Sequence, residues 1–120
     1  MKKTFRTSMK RVHPIGKNPA KVDGHFVIYW MTENRRLHSN HALDRAIRWS
    51  RRLRQPLLVV ESLTINKKST ARRHRFLLDG MASNYVNSIE MGFNYVAFVE
   101  RNEGESEDLL TDLATHAGAI

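Results

Sequence analysis

The sequence contains no cysteine, only three prolines and only six glycines in 120 residues. The missing thiols exclude disulfides, thiolate metal centres and cysteine nucleophiles together. No uninterrupted apolar run approaches the roughly 18 residues that a membrane-spanning helix needs, so no membrane partner is expected. The basic start Met1-Lys2-Lys3-Thr4-Phe5-Arg6 has no apolar h-region behind it, which argues against a secretory signal and for a cytoplasmic location. No Gly-x-Gly-x-x-Gly and no glycine-rich phosphate loop follows any strand-like run, so the dinucleotide and nucleoside-triphosphate fingerprints are missing. Where a phosphoacceptor receiver would place paired acids after its first strand, this chain has Trp30-Met31. His38 and His41 have no further ligand nearby and read as surface histidines rather than a metal site. His74 reads as a hydrogen-bonded core histidine, and Ser62 and Ser69 lack a base and acid to form a nucleophilic set. No catalytic constellation is visible.

What the chain does have is charge, unevenly spread. Twenty Lys/Arg face twelve Asp/Glu, a net +8. Residues 1–24 carry seven basic residues against Asp23 alone, residues 25–80 twelve against four acids, and residues 81–120 only Arg101 against seven acids. A basic front suits a polyanion, because neutralised phosphates release their counterions. Such a block also serves as a solvated face, so a basic nucleic-acid-binding module is one reading among several.

Residues 1–24, with Pro14, Gly16, Pro19 and Gly24, read as a basic irregular arm, and residues 25–120 as one α/β domain. The run His25 to Trp30 is rich in β-branched and aromatic residues and predicts a strand buried on both faces. Ser39 or Asn40 is placed to cap a helix that ends before Pro56, with Leu43, Ala46, Ile47, Ser50 and Leu53 inward and Arg45, Arg48 and Arg52 outward. Leu57 to Ser62 predicts the second strand. Ser69 or Thr70 caps a longer helix to about Met91, with a stripe of His74, Leu77, Leu78, Met81, Tyr85 and Ile89, and Gly92 ends it. Asn94 to Val99 predicts the third strand. Ser106 is read as the cap of a last helix with Leu109, Leu110, Leu113, Ala114 and Ala117 inward. The order β-α-β-α-β-α implies a three-layer, Rossmann-like parallel sheet with right-handed crossovers. Because the chain stops at Ala117-Gly118-Ala119-Ile120, it reads as a truncated reading frame that ends before a fourth strand. The open flank left by that strand would invite edge-to-edge self-association.

One combination is more specific. Val27-Ile28-Tyr29-Trp30-Met31 is followed by Arg36, then by Asn40-His41-Ala42-Leu43 and Pro56-Leu57-Leu58-Val59-Val60. This resembles the N-terminal part of class II cyclobutane pyrimidine dimer photolyases, within the photolyase/cryptochrome superfamily. There a strand ends in Tyr-Trp-Met, an Arg lies five residues on, and Asn-x-Ala-Leu opens the first helix. Arg73-His74-Arg75-Phe76-Leu77-Leu78-Asp79-Gly80-Met81 is similar to that family's Arg-His-x-Phe-Met-Leu-x-Gly-Leu helix, and Leu63-Thr64 and Gly92 also fit. The resemblance covers roughly residues 10–120. Two departures touch the ligand edge: Glu61 replaces an apolar or aromatic residue, and the connection 64–69 lacks a proline.

The resemblance implies the α/β, antenna-type half of a light-dependent DNA repair lyase, a carbon–carbon lyase that splits pyrimidine dimers. It also implies that catalysis belongs to a C-terminal helical domain, absent from these residues, which binds FAD and receives the flipped dimer of UV-damaged DNA. The chain alone should neither bind FAD nor repair. An antenna pigment of deazaflavin or folate type is a possible ligand. Open α/β sheets bind ligands beyond the carboxyl ends of their strands, here Trp30-Met31-Thr32 and Glu61-Ser62. The resemblance adds Arg36 and Asn40, which match family positions just after the first strand. Together these imply an antenna crevice or a domain-docking surface. Local roles compete with these. Arg36 has the alternative of pairing with a carboxylate in its own loop, Asn40 of capping the helix, and Trp30 of packing in the core. The reading from a different class is a standalone nucleotide- or flavin-binding α/β protein without repair activity.

Overall fold

Strand β1, Phe26–Met31, has neighbours on both faces because nearly every residue in it is apolar. The computed structural model describes residues 9–66 and 68–120. Along them run a single 3₁₀ turn at Met9–Arg11, then β1, α1 (His41–Leu53), β2 (Leu57–Leu63), α2 (Ala71–Met91), β3 (Asn94–Val99), α3 (Glu105–Ala114) and β4 (Ala117–Ala119). The strands form one sheet in the order β3-β2-β1-β4, with every pairing parallel. This is the expected three-layer, Rossmann-like α/β fold.

Period-two alternation divides the core between the two faces. Val27, Tyr29, Met31, Leu57 and Val59 point to one side and meet Leu37, Leu43 and Ala46, with Ile47 and Leu53 of α1 and Tyr95 of β3 packed around them. Ile28 and Val60 point to the other, against Ala117, Leu109 and Leu113. The inward face expected for α1 is the one observed.

Local chemistry sets the helix ends. Asn40, not Ser39, caps α1, its Oδ1 accepting from the Leu43 N–H at 3.1 Å. Thr70, not Ser69, caps α2 through its Oγ1 and the Arg73 N–H at 3.2 Å. Gly92 ends α2 in the left-handed region, as read from the sequence. Ser106 is not the cap of α3. It lies inside the first turn, after Gly104, and its N–H donates to the carboxylate of Glu100 at 2.8 Å. Glu100 also accepts from the Ile65 N–H at 2.7 Å, and these backbone donors hold its carboxyl below the usual carboxylate range. A carboxylate from the preceding loop has taken over the capping role.

The expected stripe of α2 is rotated. Met81, Asn84 and Ser88 are buried, with Leu77 and His74 half-buried, whereas Leu78, Tyr85 and Ile89 are exposed. Asn84 turns inward to the buried Glu61 carboxylate, and the buried Ser88 hydroxyl donates to the Tyr85 carbonyl of its own helix, so apolar residues alone misplace the face. His74 Nε2 is buried with no hydrogen-bond partner among the described residues, contrary to the satisfied histidine expected there.

The fourth strand is present, against the expectation that the chain ends before it. Residues Ala117–Ala119 pair with the start of β1, Phe26 with Ala117 and Val27 with Ala119. Three small residues carry almost no strand signal of their own, and the backbone around them creates the strand. The Lys21 N–H donates to the Gly118 carbonyl and the His25 N–H to the His116 carbonyl, both at 2.8 Å. Gly118 and Gly24 permit this approach: a Cβ on Gly118 would run into the Gln55 carboxamide, and one on Gly24 into the Gly118 backbone. The first part of the basic arm, residues 1–8, lies outside the described residues, and its far end is built into this corner of the sheet. Strand β3 forms the opposite edge, with Val96 and Val99 exposed. No helix among the described residues is long and apolar enough to cross a membrane.

Candidate functional site

The chain leaves β1, winds through α1 to β2 on one side, and returns through β4 to β1's other side, which makes β1 a topological switch point. Beyond Val27, β1 has no partner on the β4 side among the described residues. A crevice of about 220 Å³ opens at its carboxyl end, lined by Tyr29, Trp30, Thr32, Glu33, Asn34, Asn40 and Ala42.

Asn40 builds the wall of this crevice. Besides capping α1, it donates through Nδ2 to Tyr29 Oη at 2.8 Å, to the Arg36 carbonyl at 3.0 Å and to the Asn34 carbonyl at 3.2 Å. One buried carboxamide therefore ties β1, the β1–α1 loop and the helix start. The loop needs that anchor, since Asn34 and Ser39 both have φ of 48°, in the left-handed region. Burial raises the Tyr29 hydroxyl above its ordinary pKa, against the opposing pull of the Asn40 hydrogen bond. The crevice thus offers a neutral phenol, amide and hydroxyl groups, an indole and the exposed carboxylate of Glu33. Such a lining can recognise a polar ring, and it lacks a base paired with a nucleophile.

A second polar cluster lies behind it, on the α2 side. Glu61, 1% exposed in the middle of β2, faces Arg35 Nη1 at 3.3 Å, accepts from Asn84 Nδ2 at 2.8 Å and accepts from Tyr95 Oη at 2.6 Å. Arg35 also donates to the Thr32 carbonyl at 3.1 Å and the Ser62 carbonyl at 3.0 Å, and Asn84 to the Arg35 carbonyl at 3.1 Å. The buried carboxylate is satisfied from three directions, as burial of a charge requires. Burial and the adjacent Glu61 push the Tyr95 hydroxyl well above its ordinary range.

Of the seven residues read from the sequence, the crevice brings together Trp30, Thr32 and Asn40. Met31 is fully buried in the core on the α1 side. Glu61 and Ser62 are buried in the second cluster, which explains the departure at Glu61: a carboxylate is accommodated there because Arg35, Asn84 and Tyr95 surround it. Arg36 does not line the crevice. Its guanidinium sits on the exposed loop and donates to the Ser39 carbonyl at 3.1 Å, a carbonyl in place of the carboxylate expected for a local role. The arginine with the buried partners is its neighbour Arg35. Tyr29, Glu33, Asn34 and Ala42, and behind them Arg35, Asn84 and Tyr95, escaped the sequence reading. Asn84 carried a usable signal, a polar residue one helical turn from Met81 and from Ser88. Among the described residues no group of three His, Asp or Glu is arranged to hold a metal ion.

A curated protein named deoxyribodipyrimidine photo-lyase, from Methanothermobacter thermautotrophicus, is 35% identical to this chain over 98 residues, which cover 81% of the chain and 22% of that protein. The chain spans about a fifth of that relative's length. No family model and no solved structure matches the chain.

Proposed function

We propose that this chain is the N-terminal α/β part of a light-dependent DNA photolyase of the class II, cyclobutane-dimer-splitting type, and that its β1 crevice holds an antenna pigment. The observation that carries the proposal is the identity to a protein named as a photo-lyase, running through most of this chain. In this reading FAD and the flipped dimer belong to a helical domain of the full-length protein, and UV-damaged DNA is the substrate of that whole.

The crevice supports the antenna role by size and lining. At about 220 Å³ it is smaller than pockets that enclose a whole drug-sized ligand, roughly 300–1,000 Å³, and suits one planar ring system rather than a dinucleotide. Trp30 supplies an aromatic wall, Thr32 and Asn34 supply polar edge contacts, and Asn40 keeps the loop in place. A pigment bound there would supply light absorption, and this chain's residues would bind and orient it.

The test has two arms. The 120-residue chain is titrated with a deazaflavin and with a reduced folate, reading pigment fluorescence, alongside Trp30→Leu and Asn34→Ala variants. Saturable binding of one pigment, weakened at least tenfold by either variant, is the expected result. Failure of both pigments to bind overturns the antenna role. Separately, the full-length gene product should remove thymine dimers under blue light and not in the dark, while the isolated chain leaves them intact and carries no FAD. Stoichiometric FAD on the isolated chain, or nucleotide binding without light-dependent repair by the full product, would instead favour a standalone nucleotide- or flavin-binding protein.

A further inference from the structure

The outer face of α1 lies away from the crevice and takes no part in the role proposed for it. Five arginines, Arg45, Arg48, Arg51, Arg52 and Arg54, fall within or directly after the helix, which contains no lysine and one acid, Asp44. Arg45 and Arg52 both lie over the Trp49 ring, at 5.9 and 5.2 Å from its centroid. With Arg48 they line a shallow depression of about 60 Å³, room for a group of a few heavy atoms. The arm adds to the same surface, since the Met9 sulfur accepts from Arg45 Nη1 at 3.8 Å and so brings the turn containing Lys10 and Arg11 beside the helix. Among the described residues no carboxylate lies within ion-pair distance of Arg45, Arg51 or Arg52.

We infer that this face binds the phosphodiester backbone of duplex DNA, without regard to sequence or damage. Three features fit a phosphodiester backbone, and the choice of duplex DNA as the polymer that carries it rests on the function proposed above. Positive charge from two separate segments converges on one surface, and the charge is arginine throughout the helix, whose planar fork matches phosphate oxygens in a way that lysine does not. The indole holds two guanidiniums in place, lowering the entropy lost when each grips a phosphate. The depression between them is too small for a base and adequate for a phosphate. A membrane surface fits less well, because the apolar side of α1, with Leu43, Ala46, Ile47 and Leu53, is packed in the core and leaves nothing to insert. Because the contacts read only the backbone, they would hold DNA near the chain and carry no sequence preference.

Anisotropy of short, labelled, undamaged duplexes of two unrelated sequences, titrated with the 120-residue chain at several salt concentrations, tests this. With three phosphates neutralised, log Kd should change with log salt by a slope of about 2.7, so affinity falls roughly 40-fold between about 50 and about 200 mM. Both sequences should bind equally. The triple variant Arg45→Gln/Arg48→Gln/Arg52→Gln should lose most of that slope and at least tenfold in affinity at low salt. The triple variant Arg72→Gln/Arg73→Gln/Arg75→Gln on α2, with the same change in net charge, should lose less than threefold. Circular dichroism melts confirm that both triples fold. Equal losses in the two triples would show that net charge alone attracts DNA and would overturn the site. Anionic phospholipid vesicles that displace DNA as well as unlabelled duplex does, at matched charge, would overturn the choice of partner.

Discussion

Tyr95 on the edge strand β3 donates its hydroxyl proton to Glu61 Oε1 of the neighbouring strand β2 over 2.6 Å, and the two are linked by tertiary structure across 34 positions of sequence. The same carboxylate holds Arg35 of the β1–α1 loop and Asn84 of α2. Two strands, a loop and a helix thereby converge on one buried charge. Removing one partner of such a group is costly because the others stay buried and unpaired. Glu61→Ala should destabilise the chain by about 3 kcal/mol, and Tyr95→Phe by about 1.5 kcal/mol, by urea denaturation. Glu61→Ala within experimental error of wild type would contradict this view of the cluster.

The same pair predicts an alkaline limb. The Tyr95 hydroxyl titrates higher in the folded chain than in the unfolded one, where the ordinary value is about 10. The stability linked to it is fully present below that value and declines as pH rises above it. Melting temperature should fall between about pH 10 and about pH 12, and the fall should be shallower in Tyr95→Phe, where this titration is gone.

Arg35 and Arg36 are adjacent and should behave differently. Arg36→Ala removes an exposed guanidinium bonded within its own loop, and the cost should stay within about 0.5 kcal/mol. Arg35→Ala leaves Glu61 without its cation and should cost about 3 kcal/mol. Chemical denaturation of the two variants side by side checks the order, and equal costs would remove the distinction.

Asn40 combines a helix cap with three donated bonds, so Asn40→Ala should cost about 3 kcal/mol. Asn40→Asp keeps the cap acceptor and loses the donors to Tyr29, Asn34 and Arg36. It should be destabilised as well, and, if the crevice holds the pigment proposed for it, that binding should weaken in parallel. Asp matching wild type would show that capping alone is what Asn40 contributes.

Gly118→Ala places a methyl group against the Gln55 carboxamide and should destabilise by about 1–3 kcal/mol through overpacking. The amide protons of Lys21 and His25, which are bonded to β4 and its approach, should then exchange faster with solvent. Unchanged exchange at these two positions would argue that β4 does not depend on the close approach.

The strands β1, β2 and β3, the three helices and their parallel arrangement were legible because each follows from local signals: near-continuous β-branched runs, a helical apolar period, and cap residues at the right offsets. Trp30 and Thr32 were placed near the crevice by the rule that open sheets bind ligands at strand ends, and Asn40 by the family pattern after the first strand. Where local signals compete, only the tertiary structure decided. It chose Arg35 over Arg36, because only the former reaches the carboxylate of β2. It turned Asn84 of α2 inward ahead of Tyr85 and Ile89, because a buried Glu61 needs a donor and lone pairs cannot be left unsatisfied. It made a strand of Ala117–Ala119, which has no propensity of its own, from the backbone groups of residues 21–27 and the room left by two glycines. Periodicity is a property of neighbouring residues and can be read along the chain, while hydrogen-bond satisfaction and close approach belong to residues that meet only after folding.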